Sequence, residues 1–147
     1  MISSTTQSPL AIANELRPVL LRLARELRRE TEQFGVTGRQ VALLVLVERS
    51  PGLTLRALAV KEGISPPALS GHADRLEHAG LLVRVRSAVD RRRVGLELTP
   101  AGERLLGSVR ERRTAWLAER LDGLGQDDLR AIEAAVGPLL RLAGGAR

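Results

Sequence analysis

Apolar positions along the chain change their spacing several times, and each change marks an element. From Pro9 to Phe34 they fall at Ile12, Leu16, Leu20, Leu23 and Leu27. Steps of three and four place them on one stripe of an amphipathic helix. Pro18 lies inside that stretch and is expected to kink the helix or mark a late start, with Gly35 as the stop. Residues 1–8 are polar and expected to fray. Thr37-Gly38-Arg39-Gln40 has capping-box spacing, a hydroxyl followed three residues on by an amide. The unbroken apolar run Val41 to Val47 behind it therefore reads as a buried helix ending at Ser50-Pro51-Gly52, although its β-branched content would suit a strand.

Thr54 caps a short helix, Leu55 to Glu62, with Leu55, Leu58 and Ala59 inward and Gly63 as a left-handed terminator. Two residues on, Ser65 caps again, and Pro66 takes the first helical position, where its missing N–H costs nothing. That helix runs to Ala79 with Leu69, Ala73 and Leu76 inward, and stops at Gly80. The period then falls to two. Leu81 to Arg86 alternates around Val83 and Val85, and Val94, Leu96 and Leu98 alternate after a run of arginines, which predicts a β-hairpin. Thr99-Pro100 opens a long helix to about Leu121, with Leu105, Leu106, Val109, Trp116 and Leu117 as its apolar set. Past the turn at 122–125, Asp127 and Asp128 suit a helix N-terminus, and a last helix runs to about Leu142.

The expected fold class is thus mainly α with a small β-hairpin wing: a winged helix-turn-helix with N- and C-terminal helices. One domain is expected over 1–147, with the winged region at 36–102, a recognition helix at 65–79 and the wing at 81–99. The helices at 9–34 and 103–143 bear apolar stripes outside a middle that closes its own small core. Pairing with a second copy buries them, so a homodimer is expected.

Composition narrows the function classes. The 147 residues are 44% hydrophobic and 27% charged, as in a soluble globular protein. No apolar run approaches the roughly 18 residues of a membrane span, and the first residues lack the layout of a secretory signal. The expected location is cytoplasmic, without a membrane partner. Cysteine is absent, which removes disulfides, thiolate nucleophiles and thiol redox sensing. His72 and His78 have no carboxylate cluster beside them and read as ordinary helix residues, so neither metal nor cofactor is expected. An enzyme would need converging groups, yet Ser70, His72 and Asp74 share one helix without a facing partner, and no catalytic residue is expected. A membrane-surface or scaffold protein would show a continuous basic face, whereas at 22–30 four arginines mix with Glu26 and Glu30.

The net charge is +6, and residues 84–93 hold most of it: Arg84, Arg86, Arg91, Arg92 and Arg93 against Asp90 alone. This run follows directly on two helices joined by Gly63-Ile64-Ser65, the spacing of a helix-turn-helix. A helix enters a major groove about 12 Å wide when a neighbour braces it and its exposed start is small. Ser65, Pro67, Ala68, Ser70 and Gly71 form such a start, and Arg75, one to two turns on, reaches phosphate or a guanine edge. Arginines at a hairpin tip suit the negative potential of the minor groove, and Asp90 is expected to aim or neutralise one of them. The expected partner is double-stranded DNA.

At these residues the chain resembles the MarR family of transcriptional regulators, over roughly residues 9–143. I-S-P-P-A-L-S-G-H-A-D-R-L-E-H-A-G-L-L-V-R at 64–84 is similar to that family's recognition helix and first wing strand, and V-D-R-R-R-V-G-L-E-L-T-P-A-G at 89–102 to its wing. The resemblance implies a dimer with interleaved terminal helices. It also implies recognition helices in consecutive major grooves of a near-palindrome, with Arg92 as a minor-groove arginine. It further implies a role as repressor, released by a small aromatic or anionic effector. Regulation by cysteine oxidation, used by some members, is closed here. The places this implies for an effector pocket are near Trp116 or the helix at 37–50, although a packing role suits Trp116 better. Members often carry a long polar or basic residue where this chain has Gly71. Base readout then leans on Ser65, Ser70, Arg75, backbone contacts and DNA shape.

Overall fold

The structure, a computed structural model, describes residues 7–144. Residues 1–6, most of the stretch expected to fray, lie outside it. Among the described residues there are six α-helices, one 3-10 turn and one two-stranded sheet: α1 Pro9–Arg29, the 3-10 turn Glu32–Phe34, α2 Gly38–Arg49, α3 Leu55–Glu62, α4 Pro66–His78, β1 Leu82–Arg86, β2 Val94–Leu98, α5 Pro100–Asp122 and α6 Gln126–Leu142.

The ends of these elements follow local chemistry. Ser8 was expected to fray, yet its Oγ accepts the Ala11 amide at 3.2 Å and caps α1. The helix therefore starts at Pro9, and Pro18 lies in its interior without delaying the start. It outlasts its apolar stripe by two residues but ends before the expected bound at Phe34, passing through the 3-10 turn to Gly35 at φ 71°. Thr37 and Gln40 form the expected reciprocal box, with Gln40 N to Thr37 Oγ1 at 3.2 Å and Thr37 N to Gln40 Oε1 at 2.9 Å. Thr54 and Ser65 cap α3 and α4 as their spacing predicts.

The chain divides into two compact units, one through Arg113 and the other from Thr114. The core of the first is built on α2, α3, α4, the hairpin and the first turns of α5. Val41, Leu43, Leu44, Val47, Leu58, Ala59, Leu69, Ala73, Leu76, Leu82, Leu96, Leu106 and Val109 are all buried in it. At about 1.5–3 kcal/mol per large apolar side chain, this cluster is what holds the winged region in shape. The strands run antiparallel with Leu82 opposite Leu98, Arg84 opposite Leu96 and Arg86 opposite Val94. Their alternation was expected around Val83 and Val85, but these point outward and Leu82 is the fully buried residue. Alternation marks a strand and does not say which of its faces the core takes.

Thr99 ties the hairpin base together. Its hydroxyl donates to the Gly80 carbonyl at 2.6 Å and accepts the Gly102 amide at 3.0 Å, while its own amide donates to Leu81 O at 3.1 Å. Within the same unit, Arg110 of α5 makes a two-point pair with Glu48 of α2, Arg112 pairs with Glu30, and Arg113 Nε donates to Leu27 O at 3.3 Å. The Arg110 hydrogen bond, aided by the charges of Arg110 and Arg49, holds the Glu48 carboxyl below its ordinary value. In the second unit Trp116 is buried, with the Arg120 guanidinium 3.7 Å from its ring centroid. No described helix is long and apolar enough to cross a membrane.

Two helices lack a buried residue altogether. On α1, Leu10, Val19 and Leu21 are more than half exposed, and on α6 so are Val136, Leu140 and Leu142.

Candidate nucleic-acid interface

The turn between α3 and α4 is set by Gly63 at φ 69° and by Ile64 N donating to Ala59 O at 3.1 Å. It leads straight into the Ser65 cap, whose Oγ accepts the Ala68 amide at 3.3 Å. The buried stripe Leu69, Ala73, Leu76 fixes the rotation of α4, and Ser65, Pro67, Ala68 and Arg75 are exposed. Ser70 and Gly71 are half-buried and so belong less fully to the exposed start than expected. Ser70 turns toward the wing. A Cβ placed on Gly71 would meet nothing within 4 Å, so the protein leaves open space there.

The hairpin tip is a loop closed by Ser87 N to Arg93 O at 2.9 Å, and Ser87 Oγ accepts the amides of Val89 and Asp90. Asp90 lies within the tip among the arginines. One carboxylate oxygen accepts the Arg92 amide at 3.0 Å and shapes the tip, while the other lies 3.7 Å from Arg93 Nε. Arg86, Arg91, Arg92 and Arg93 are exposed.

Arg84, the fifth arginine of the run, behaves differently. It sits on the inner face of β1 beside Leu82, and a half-buried guanidinium needs partners. It donates to Glu77 Oε2 at 2.8 Å, to Asp74 Oδ1 at 2.6 Å and to Ser70 Oγ at 3.3 Å. These partners, above all the Asp74 hydrogen bond, raise its pKa further above the ordinary arginine value. Arg84 therefore joins wing to helix instead of adding to the basic surface. The sequence reading missed this, although the spacing 70, 74, 77 puts one hydroxyl and two acids on a single helix stripe.

Arg56 was missed as well. It stands in the first turn of α3 and lines, with Thr54, Leu55, Val94, Arg92 and Arg93, an open cleft of about 660 Å³. Three arginines beside a helix N-terminus favour an anion. His72 Nδ1 is enclosed and has no partner among the described residues, and no group of three or more His, Asp or Glu there could hold a metal ion.

A braced helix with a small, exposed start and an arginine-tipped hairpin on one frame define a winged helix-turn-helix DNA-binding protein. Comparison with known proteins narrows this class. The model described as "MarR family" matches residues 34–93. The chain is 30% identical over 135 residues to the HTH-type transcriptional regulator ML2140 of Mycobacterium leprae, covering 92% of this chain and 94% of that one. The chain belongs to the MarR family, whose members are DNA-binding transcriptional regulators and not enzymes. Among solved structures, RV1404 of Mycobacterium tuberculosis shares the fold at a TM-score of 0.84 and 21% identity, over 97% of this chain and 99% of that one. A mutant of S. aureus MepR bound to an oligodeoxyribonucleotide shares it at a TM-score of 0.68 and 21% identity, over 89% and 96% of the two chains.

Proposed function

We propose that this regulator binds a near-palindromic operator as a homodimer and represses transcription by occupying it. In this reading the region 36–102 is the DNA-binding part, and the helices at 9–34 and 103–143 pair with those of a second copy. The N-terminal half of α4 lies in the major groove. Ser65, Pro67, Ala68, Ser70 and Gly71 face the bases and Arg75 reaches a phosphate or guanine. Arg91, Arg92 and Arg93 enter the flanking minor groove, with Asp90 shaping their loop and Arg86 on the adjoining backbone. Arg56 adds a phosphate contact beside them.

The observation that carries the reading is the joint presentation of the small-residue helix start and the exposed arginine tip on one core. Pairing is supported by the apolar residues that α1 and α6 leave exposed, since such faces favour burial against a partner. That a protein of this fold, MepR, has been seen on an oligodeoxyribonucleotide supports the DNA-facing side. Repression follows from occupancy, because a dimer clamped across two grooves excludes other proteins from the same duplex. Release by a small aromatic or anionic effector is part of the proposal and rests on the family resemblance.

Selection of bound duplexes from a random library, with the mass of the protein measured by light scattering, tests it. The expected result is a dimer and an enriched two-fold sequence whose half-sites lie about 34–36 Å apart. A monomer that enriches no sequence at physiological salt would overturn the proposal.

A further inference from the structure

Arg84 is the last inward side chain of β1 before the arginine tip, and its place there deepens the proposed function, on which this inference rests. Leu82 is buried at the base of the strand and Arg84 is half-buried two residues on, whereas Arg86, of the same face, is exposed. Beyond Arg84 the hairpin keeps one further strand pair, Arg86 opposite Val94, and then closes through Ser87 N to Arg93 O. At ~3.3 Å per residue, Ser87 stands about 10 Å beyond Arg84 along the strand. A small tilt of β1 at Arg84 is therefore magnified at Arg91, Arg92 and Arg93.

The anchors of Arg84 are spread along α4. One arm of its fork donates to Glu77 Oε2 at 2.8 Å, the other to Asp74 Oδ1 at 2.6 Å and Ser70 Oγ at 3.3 Å. Residues 70 and 77 lie about 10 Å apart along the helix axis. A planar guanidinium held by both sets the angle of β1 to α4 as well as its distance. A methionine there would fill the space, but apolar burial is non-directional and leaves the angle to the surrounding packing. Leu69, Ala73 and Leu76 fix the rotation of α4 on the core, and the fork passes that orientation on to the hairpin. With two carboxylates against one guanidinium, the cluster has no surplus positive charge with which to attract a phosphate.

We infer that Arg84, without touching DNA, positions the wing so that its arginines meet the minor groove while α4 occupies the major groove. A hairpin free to tilt has to be ordered at each encounter, and the entropy lost then offsets what its arginines gain. Arg84 is a positioning residue, and Arg92 makes the contact that depends on it.

A double-mutant cycle tests this, read by fluorescence anisotropy on the duplex that wild type enriches from a random library. Arg92→Ala lowers the affinity of wild type by about tenfold, the worth of one charge-assisted contact. In an Arg84→Met background the same change lowers it by about twofold or less, because a loosened wing has little grip left to lose. Arg75→Ala, on α4 itself, lowers affinity by the same factor in both backgrounds. Should Arg84→Met melt at the assay temperature, Asp74→Ala with Glu77→Ala releases the same fork at two exposed helix positions and carries the same expectation. Equal effects of Arg92→Ala in both backgrounds overturn the inference, since Arg84 is then either plain support or a DNA contact of its own. A matching loss of the Arg75→Ala effect also overturns it, because the whole winged region has then loosened. Both outcomes leave the proposed function standing. Wild type that enriches no two-fold sequence overturns that function, and the inference with it.

Discussion

Replacing Gly102 by alanine is expected to destabilise the winged region strongly, and the structure sets the size of the effect. Gly102 is buried in the first turn of α5. A Cβ there would lie 3.1 Å from the Leu81 carbonyl carbon and 3.5 Å from its Cα, and closer still to the oxygen. These atoms are backbone and cannot rotate aside. Leu81 O also accepts the Thr99 amide at 3.1 Å, so relieving the clash strains that bond. Overpacking costs about 1–3 kcal/mol and a disturbed hydrogen bond about 1 more, giving roughly 2–4 kcal/mol in all. With a urea slope of about 2 kcal/mol/M, the unfolding midpoint drops by about 1–2 M. The matched control is Gly107→Ala in the same helix, where a Cβ meets nothing within 4 Å. Relief of the helix penalty of glycine there gains about 1 kcal/mol. Urea titrations followed by circular dichroism, at one fixed protein concentration because association shifts stability, read both. Equal midpoints for wild type and Gly102→Ala would refute the reasoning.

Two further outcomes follow from the surface. Arg92→Ala weakens operator binding and lowers the slope of log affinity against log salt by about one counterion, measured by fluorescence anisotropy over a salt series. An unchanged slope and affinity would leave Arg92 as plain surface. Glu48→Gln removes a carboxylate whose folded pKa lies below its ordinary value of 4.5. A depressed pKa adds stability that is complete above the ordinary value and lost as pH falls through the folded one. The stability gap between wild type and Glu48→Gln is therefore constant at neutral pH and shrinks below about pH 4.5. The pair is well exposed, so the gap is small, and a gap independent of pH would rule the pair out as its source.

Capping chemistry was legible in the sequence because it acts over three residues. Thr37 with Gln40, Thr54, Ser65 with Pro66 and Thr99 with Pro100 each marked a helix start that the structure has within a residue. The buried stripe of α4 was legible for a similar reason, since helical period and core face coincide there, whereas the unbroken apolar run of α2 was readable as a helix only through its cap and its stop. Relations across elements were not. Arg84 looked like one more cation in a basic run, and only the register of β1 against β2 places it inward, over the acids of α4. Glu48 and Arg110 are 62 positions apart, and no local spacing connects them. Arg56 escaped notice because its companions Arg92 and Arg93 reach it only once the hairpin folds back. Ser8 was passed over as part of a polar terminus, although serine before proline is the same start signal read correctly at Ser65.

One small contact bears on how the protein measures a duplex. Thr54 forms an isolated bridge with Gly95, and a Cβ on Gly95 would come within 2.9 Å of the Leu53 carbonyl. The glycine thus lets the segment entering α3 stitch itself to β2. Brace and hairpin become two arms of one caliper whose opening is cast by the backbone. In the proposed complex such a gauge is expected to forgive a changed base under the arginines more readily than a duplex wound tighter or looser between the two proposed grooves.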